Sequence, residues 1–113
     1  QAALRERWQS LPERVRHLPV PSRVILSNRI SSTHTVIEVN GRDMPGLLHR
    51  LTRTLAELGL QIQTATVSTY GERVVDVFYV KDLFGLQVHN EARLTTIRDR
   101  LLEVFDQIGE AAE

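Results

Sequence analysis

The 113-residue chain predicts an α+β fold in which two helices cover one face of a four-stranded antiparallel sheet. Two observations predict it: β-branched runs typical of strands, and leucines at helical spacing that follow turn or capping residues. The predicted strands are 24–28, 34–40, 60–70 and 73–82, and the predicted helices are 43–58 and 91–108. This ββαββα order is a permuted ferredoxin-like unit, in which the first strand replaces the missing last one.

The first 22 residues predict a helical connector arriving from a preceding domain. Ser10 and Glu13 have the spacing of a capping box, and Pro19 and Pro21 end the helix. Because the chain begins at Gln1 and not at Met, we expect a fragment of a longer protein. The expected domain then spans 23–109, followed by a frayed tail at 110–113.

The segment 43–46 predicts the start of the first helix of the domain. Asp43 is a good N-cap and Pro45 suits the first turn. One apolar stripe follows: Leu47, Leu48, Leu51, Leu55 and Leu58. Gly59 is the expected stop of this helix. The last helix is capped by Asn90 and ended by Gly109, after an irregular loop at 83–88.

The strand 73–82 is apolar on both faces. Val74, Phe78 and Val80 lie on one face, and Val75, Val77 and Tyr79 lie on the other. Helices on one side leave the second face uncovered, so we expect it to meet another domain or subunit. The expected interface residues are Val75, Asp76, Val77 and Tyr79.

Asp76 needs a separate explanation, because it shares a face with Val74 and a buried carboxylate without a partner is costly. One expectation is that it lies near a sheet edge or pairs with Arg73 or another arginine. The alternative is a contact across a domain interface.

The composition excludes several classes of function. Lys plus Arg equals Asp plus Glu, at 14 each, so a basic nucleic-acid surface is absent. The absence of cysteine excludes disulfides, thiolate nucleophiles and Cys-ligated zinc, and fits a cytoplasmic protein. No apolar run has the length of a membrane span, and no histidine spacing suits a metal. With no nucleophile–base pair and no phosphate-binding loop, we expect no catalytic site and no cofactor.

Two stretches of sequence carry a family pattern. The first is Val36-x-Glu38-Val39-Asn40-Gly41-Arg42-Asp43-Met44-Pro45-Gly46-Leu47-Leu48, with Gly59-Leu60-x-Ile62 after the helix. It resembles the start of an ACT domain, a small ligand-sensing module attached to enzymes of amino-acid and nitrogen metabolism. The second, Ala65 to Val80 with its Tyr-Gly-Glu-Arg-Val-Val-Asp-Val-Phe-Tyr-Val run, resembles the C-terminal ACT domain of bacterial bifunctional uridylyltransferase/uridylyl-removing enzymes. The resemblance covers about residues 24–108.

The resemblance implies a parent enzyme that modifies the PII nitrogen signal protein. Nucleotidyltransferase and metal-dependent phosphohydrolase domains would precede two ACT domains, and glutamine would be the sensed ligand. The implied partners are that amino acid, a second ACT domain in cis or in a homodimer, and PII through the parent, without nucleic acid or membrane. Met44 departs from the family, which usually has Arg at this position.

The loop 40–46 has suitable chemistry for a free amino acid. The N–H groups of Gly46, Leu47 and Leu48 at a helix N-terminus can take a carboxylate, and Asp43 can take an ammonium. By resemblance, Gln61 is the second polar position, expected at the same end of the sheet. The expected ligand-binding residues are Asn40, Asp43, Met44, Gly46, Leu47, Leu48 and Gln61.

Two alternatives stay open for this loop. Asp43-x-Pro-Gly is also simply a good helix start. The domain can equally be an ACT-type dimerisation or interaction module that binds no ligand.

Overall fold

The computed structural model describes residues 20–112, and it confirms the ββαββα order. The elements are β1 (Arg23–Ser27), β2 (Thr35–Arg42), α1 (Leu47–Glu57), β3 (Leu60–Tyr70), β4 (Arg73–Asp82) and α2 (Glu91–Ala112). The predicted connector falls mostly on residues 1–19, which lie outside the described residues.

The four strands form one antiparallel sheet in the order β1-β2-β4-β3. β1 pairs with β2 so that Val24 lies opposite Val39, which is the place that the permuted topology assigns to the extra strand. β3 is the other edge, and it pairs with β4 so that Ala65 lies opposite Phe78. β2 and β4 are therefore the central strands.

The core lies between one face of the sheet and the two helices. It includes Ile37, Val39, Leu51, Leu55, Phe78, Val80, Ile97 and Leu101, all fully buried. On the strands these positions alternate, as expected when one face is covered by helices and the other is open. The apolar stripes predicted for both helices account for their side of the core.

At the end of the sheet where β4 stops, side chains tie two loops together. The Gln87 side-chain amide donates to the backbone oxygens of Ser31 (2.8 Å) and His34 (3.0 Å) in the β1–β2 loop. The Thr35 hydroxyl accepts from the N–H of Val88 at 2.8 Å and donates to Asn28 at 2.7 Å. The loop before α2 is thus held against the hairpin, although neither is regular structure.

The start of α1 differs from the prediction. The Asp43 N–H donates to the backbone oxygen of Glu72 at 2.8 Å, so this residue extends the β2–β4 pairing and does not cap a helix. The chain then turns through Pro45, and the helix begins at Leu47 after Gly46, whose φ is +77°. The expected N-cap at Asp43, and Pro45 in the first helical turn, are wrong because the sheet holds the backbone of Asp43.

The capping of α2 is confirmed, since the Asn90 side chain accepts from the N–H of Arg93 at 2.9 Å. The expected stop at Gly109 is wrong, because the helix continues to Ala112. Glycine inside a helix costs only about 1 kcal/mol relative to alanine, and the following Glu-Ala-Ala has high helix propensity. Within residues 20–112, neither helix has the length and hydropathy needed to cross a membrane.

Candidate functional site

The segment Asp43–Gly46 links the end of β2 to α1 and forms the candidate loop. Asp43, Pro45 and Gly46 are exposed, as is Leu48 in the first helical turn. Met44 packs against the core and Leu47 is buried in it. Asp43 is therefore the one charged side chain that this loop offers to a ligand. Met44 and Leu47 anchor the loop to the core.

The N-terminus of α1 carries free hydrogen-bond donors. Among the described residues, no acceptor faces the N–H groups of Gly46, Leu48 and His49, whereas the Leu47 N–H donates to the Met44 oxygen at 3.1 Å. No side chain from residues 20–112 caps the helix, and its first turn contains no acidic residue. The positive end of the helix dipole is thus uncompensated, which suits an anion such as a carboxylate. The Leu47 N–H, which was expected to take part in binding the carboxylate, is already bonded within the loop.

Asn40 is not brought to this loop. It lies on the sheet face opposite the helices, where its side-chain amide donates to a Glu38 carboxylate oxygen at 2.9 Å. Strand alternation separates it from Gly41, which faces α2. Its expected role beside the N-terminus of α1 does not fit this orientation.

Gln61 lies at the opposite end of the sheet from the loop, so its expected position is wrong. It pairs with Lys81, whereas Arg42, just before the loop, pairs with Arg73. Eight residues of extended strand separate these two partners, about 27 Å. The physical reason is topological: α1 carries the chain back across the sheet, so β3 starts where β2 also started. The Gln61 amide donates to the Asp82 oxygen at 3.0 Å.

The edge strand β3 is poorly covered by the helix layer. Val67 points to the helix side of the sheet yet is 49% exposed, and Leu48 of α1 is 42% exposed. Ile62 is also exposed on this strand. An edge strand with apolar side chains and an open hydrogen-bonding row is a natural template for pairing.

The face of the sheet away from the helices is open, as the two-sided pattern of 73–82 predicts. Val75, Val77 and Tyr79 are half-buried there. A shallow cavity of about 130 Å³ lies on this face and includes Ile25, Ile30, Val77 and Tyr79 in its lining. These residues form an apolar surface on which a second domain can pack.

Asp76 lies on the helix side of the sheet, separated by β4 itself from Val75, Val77 and Tyr79. It is 2% exposed, on a central strand between Val39 of β2 and Val67 of β3. Its Oδ1 has no hydrogen-bond partner among the described residues. The expected edge position and arginine pairing are wrong, because β4 is flanked on both sides and Arg73 lies on the other face. Burial, with a smaller contribution from the nearby Asp43 charge, raises the pKa of Asp76 to about 6.

The tip of the loop after β4 is an apolar feature that the sequence interpretation missed. One Asp82 carboxylate oxygen accepts from the N–H groups of Phe84 (2.9 Å) and Leu86 (3.0 Å). The bonded turn presents Leu83, Phe84 and Leu86 to solvent, and Phe84 is 88% exposed. The available signal was three large apolar residues around a glycine, outside any strand or helix period. This apolar tip lies beside Gln61, which donates to the same Asp82 residue.

The chain is similar to one family of domains and to several enzymes that share one name. Residues 30–106 match the family model described as the ACR family N-terminal ACT domain. The chain is 57% identical over 105 residues to the bifunctional uridylyltransferase/uridylyl-removing enzyme of Rhodospirillum rubrum, which covers 93% of this chain and 11% of that protein. It is 62% identical over 92 residues to the enzyme of the same name from Azospirillum brasilense, covering 81% of this chain and 10% of that protein.

A further relative of the same name, from Gluconobacter oxydans, is 52% identical over 93 residues, covering 82% of this chain and 10% of that protein. The chain therefore spans about a tenth of the length of the relatives it matches.

Proposed function

The chain belongs to the ACR family of ACT domains, and we propose that it is an amino-acid-sensing regulatory domain whose ligand is glutamine. The observation that carries the proposal is the uncapped N-terminus of α1, with free N–H groups, beside the exposed carboxylate of Asp43. A free amino acid presents a carboxylate and an ammonium on one carbon, and these are the two charges that this pair of features attracts.

The proposed parent is a bifunctional uridylyltransferase/uridylyl-removing enzyme that acts on PII. The names of the relatives support the two activities of this parent. The domain supplies control and the remainder of the parent supplies both reactions. Glutamine binding stabilises one docking arrangement of the ACT domains and so shifts the two activities in opposite directions. This works only if glutamine has a different affinity for each arrangement.

A single copy contains half of the proposed site. The main-chain donors at Gly46 and Leu48 hold the ligand carboxylate, while Gln61 lies at the other end of the sheet, about 27 Å away along β4. A free amino acid is far shorter than this distance. Gln61 therefore contributes to the site of another copy or of a second ACT domain.

Pairing through β3 brings the two halves together. If two β3 edges pair antiparallel about a two-fold axis, the start of one strand lies beside the end of the other. Gln61 of the second copy then lies next to Tyr70 of the first, at the end of the sheet where α1 begins. The exposed Val67 and Leu48 become buried by the same pairing.

The chemistry of Gln61 favours glutamine over charged amino acids. An amide offers one acceptor oxygen and two N–H donors, so it forms reciprocal hydrogen bonds with the side-chain amide of glutamine. The apolar tip at 83–86 lies beside Gln61 in the same copy, so it would exclude water from that contact.

Isothermal titration of the chain with glutamine, glutamate and asparagine tests the proposal. We expect saturable heat with glutamine, weaker binding of the other two, and a loss of roughly 10- to 100-fold for Asp43→Asn. Asp99→Asn, an exposed change on α2, is the matched control and should bind like the parent chain. Absence of glutamine binding in a folded, self-associated sample would contradict ligand sensing.

The second candidate function is an interaction module that binds no metabolite, favoured by the open face at Val77 and Tyr79. Both candidates predict self-association, which size-exclusion chromatography with light scattering measures. They differ in the titration, where the interaction module gives dimers and no heat with any amino acid.

A further inference from the structure

The carboxylate of Asp76 is a buried polar group on the helix side of the sheet. It is 2% exposed, and its Oδ1 lacks a hydrogen-bond partner among the described residues. A buried polar atom without a partner costs free energy, and native proteins keep few of them. Such an atom is explained when a ligand supplies the missing donor.

Within residues 20–112, no donor of the chain reaches the Oδ1 of Asp76. Its cross-strand neighbours on the same face are Val39 and Val67, which are both apolar. The Asp43 carboxylate lies near enough to disfavour a negative charge on Asp76. The two neighbouring carboxylates attract a cation, and pairing with them offsets the cost of burying it among apolar residues.

Asp76 is itself buried, but it lies one strand away from an exposed edge of the sheet. Only β3 separates Asp76 from the edge, and the neighbouring Val67 is half exposed because the helices do not cover it. The free N–H of Leu48 belongs to the helix N-terminus that starts after Asp43. An anion site on the helix and a cation site on the sheet thus lie on the same side of the sheet, toward the same exposed edge.

We propose that the Asp76 carboxylate accepts a hydrogen bond from the α-ammonium of the bound amino acid, with Asp43 as the outer carboxylate of the same ammonium site. This rests on the proposed function and assigns a specificity role to a residue inside the domain. The ligand class is a free amino acid with an unmodified α-amino group. Asp76 is then a binding residue, and its buried oxygen gains a hydrogen-bond partner only when the ligand is bound.

The test pairs a variant with a ligand analogue. Glutamine and its deamino analogue, 4-carbamoylbutanoate, are titrated into the parent chain and into Asp76→Asn, with Asp99→Asn as the control. We expect Asp76→Asn to weaken glutamine by roughly 10- to 100-fold and to leave the affinity for the analogue unchanged. Equal glutamine affinity in the variant, or parallel weakening of both compounds, would overturn the inference.

A second variant guards against indirect effects. In Val67→Lys, a lysine ammonium placed across from Asp76 competes for the carboxylate, so glutamine binding falls even in samples that light scattering shows to be self-associated like the parent chain. The control is Val67→Met, whose side chain is unbranched like that of lysine but carries no charge. This variant should still bind glutamine. Equal binding by the two Val67 variants contradicts the inference.

If the parent chain binds glutamine and Asp76→Asn binds it equally well, the proposed function survives and only the role of Asp76 is refuted. If the parent chain binds no glutamine, both proposals are refuted.

Discussion

Phe105 of α2 packs over Gly41 of β2, in the space that a side chain at position 41 would occupy. The ring is buried, and a Cβ on Gly41 would overlap it. Gly41 lies two residues before Asp43, so this contact fixes the end of β2 from which the candidate loop leaves. The close approach of helix and strand therefore positions the site.

Gly41→Ala should destabilise the domain by about 1–3 kcal/mol, because the added methyl group must displace a buried ring. Urea denaturation followed by circular dichroism measures the change. The double variant Gly41→Ala with Phe105→Leu should lose less than the sum of the two single variants, since the smaller side chain makes room. Strict additivity, or an unchanged midpoint for Gly41→Ala, would show that the ring does not fill this space.

Gly46→Ala tests the left-handed residue that begins α1. Its φ of +77° disfavours a side chain, and no atom lies within 4 Å of an added Cβ, so the cost is one of backbone strain and not of a clash. We expect a loss of roughly 1–2 kcal/mol. Gly46→Asn is the control, because asparagine tolerates this conformation better and should lose less. Equal stability of the Ala and Asn variants would contradict a left-handed residue here.

The stability of the domain should depend on pH through Asp76. Its pKa rises from 3.8 to about 6 on folding, so the folded state binds the proton more tightly and stability falls as pH rises from about 4 to 6. The full rise corresponds to at most ~3 kcal/mol. Urea unfolding from pH 4 to 8 should therefore show Asp76→Asn gaining stability over the parent chain through this window and holding that gain above pH 7. A constant difference between the two proteins would refute the role of burial.

Asp82→Ala should release the apolar tip. The lost carboxylate oxygen is the acceptor for the N–H groups of Phe84 and Leu86, so hydrogen exchange at these two amides should become faster. Amides in the middle of β4, such as that of Phe78, should keep their protection in the same sample. Unchanged exchange at the tip would mean that other contacts hold the turn.

The sequence predicted the sheet well because its strands are long and strongly patterned. The bounds of β3 and β4 agree with the prediction, and the alternation along β4 correctly placed Asp76 with Phe78 on one face. The role of β1 also followed from element order, since a permuted unit needs a fourth strand beside β2.

The candidate site was harder to predict because its geometry depends on distant contacts. The backbone bond from Asp43 to Glu72 joins residues far apart in the chain, and it moves the start of α1 from Asp43 to Leu47. Capping preferences depend on neighbouring residues only, so they do not predict such a long-range hydrogen bond. The lack of a partner for Asp76 likewise depends on which side chains the folded sheet places around it.

Complementation between two inactive variants tests the shared site most directly. Asp43→Ala and Gln61→Ala chains are titrated with glutamine separately and after mixing and subunit exchange. If each site combines Asp43 of one copy with Gln61 of the other, each variant alone binds weakly, and every mixed dimer regains one intact site. Restored binding at up to one glutamine per mixed dimer is the predicted result. Mixed samples that bind no better than the separate variants would contradict a site built across two copies.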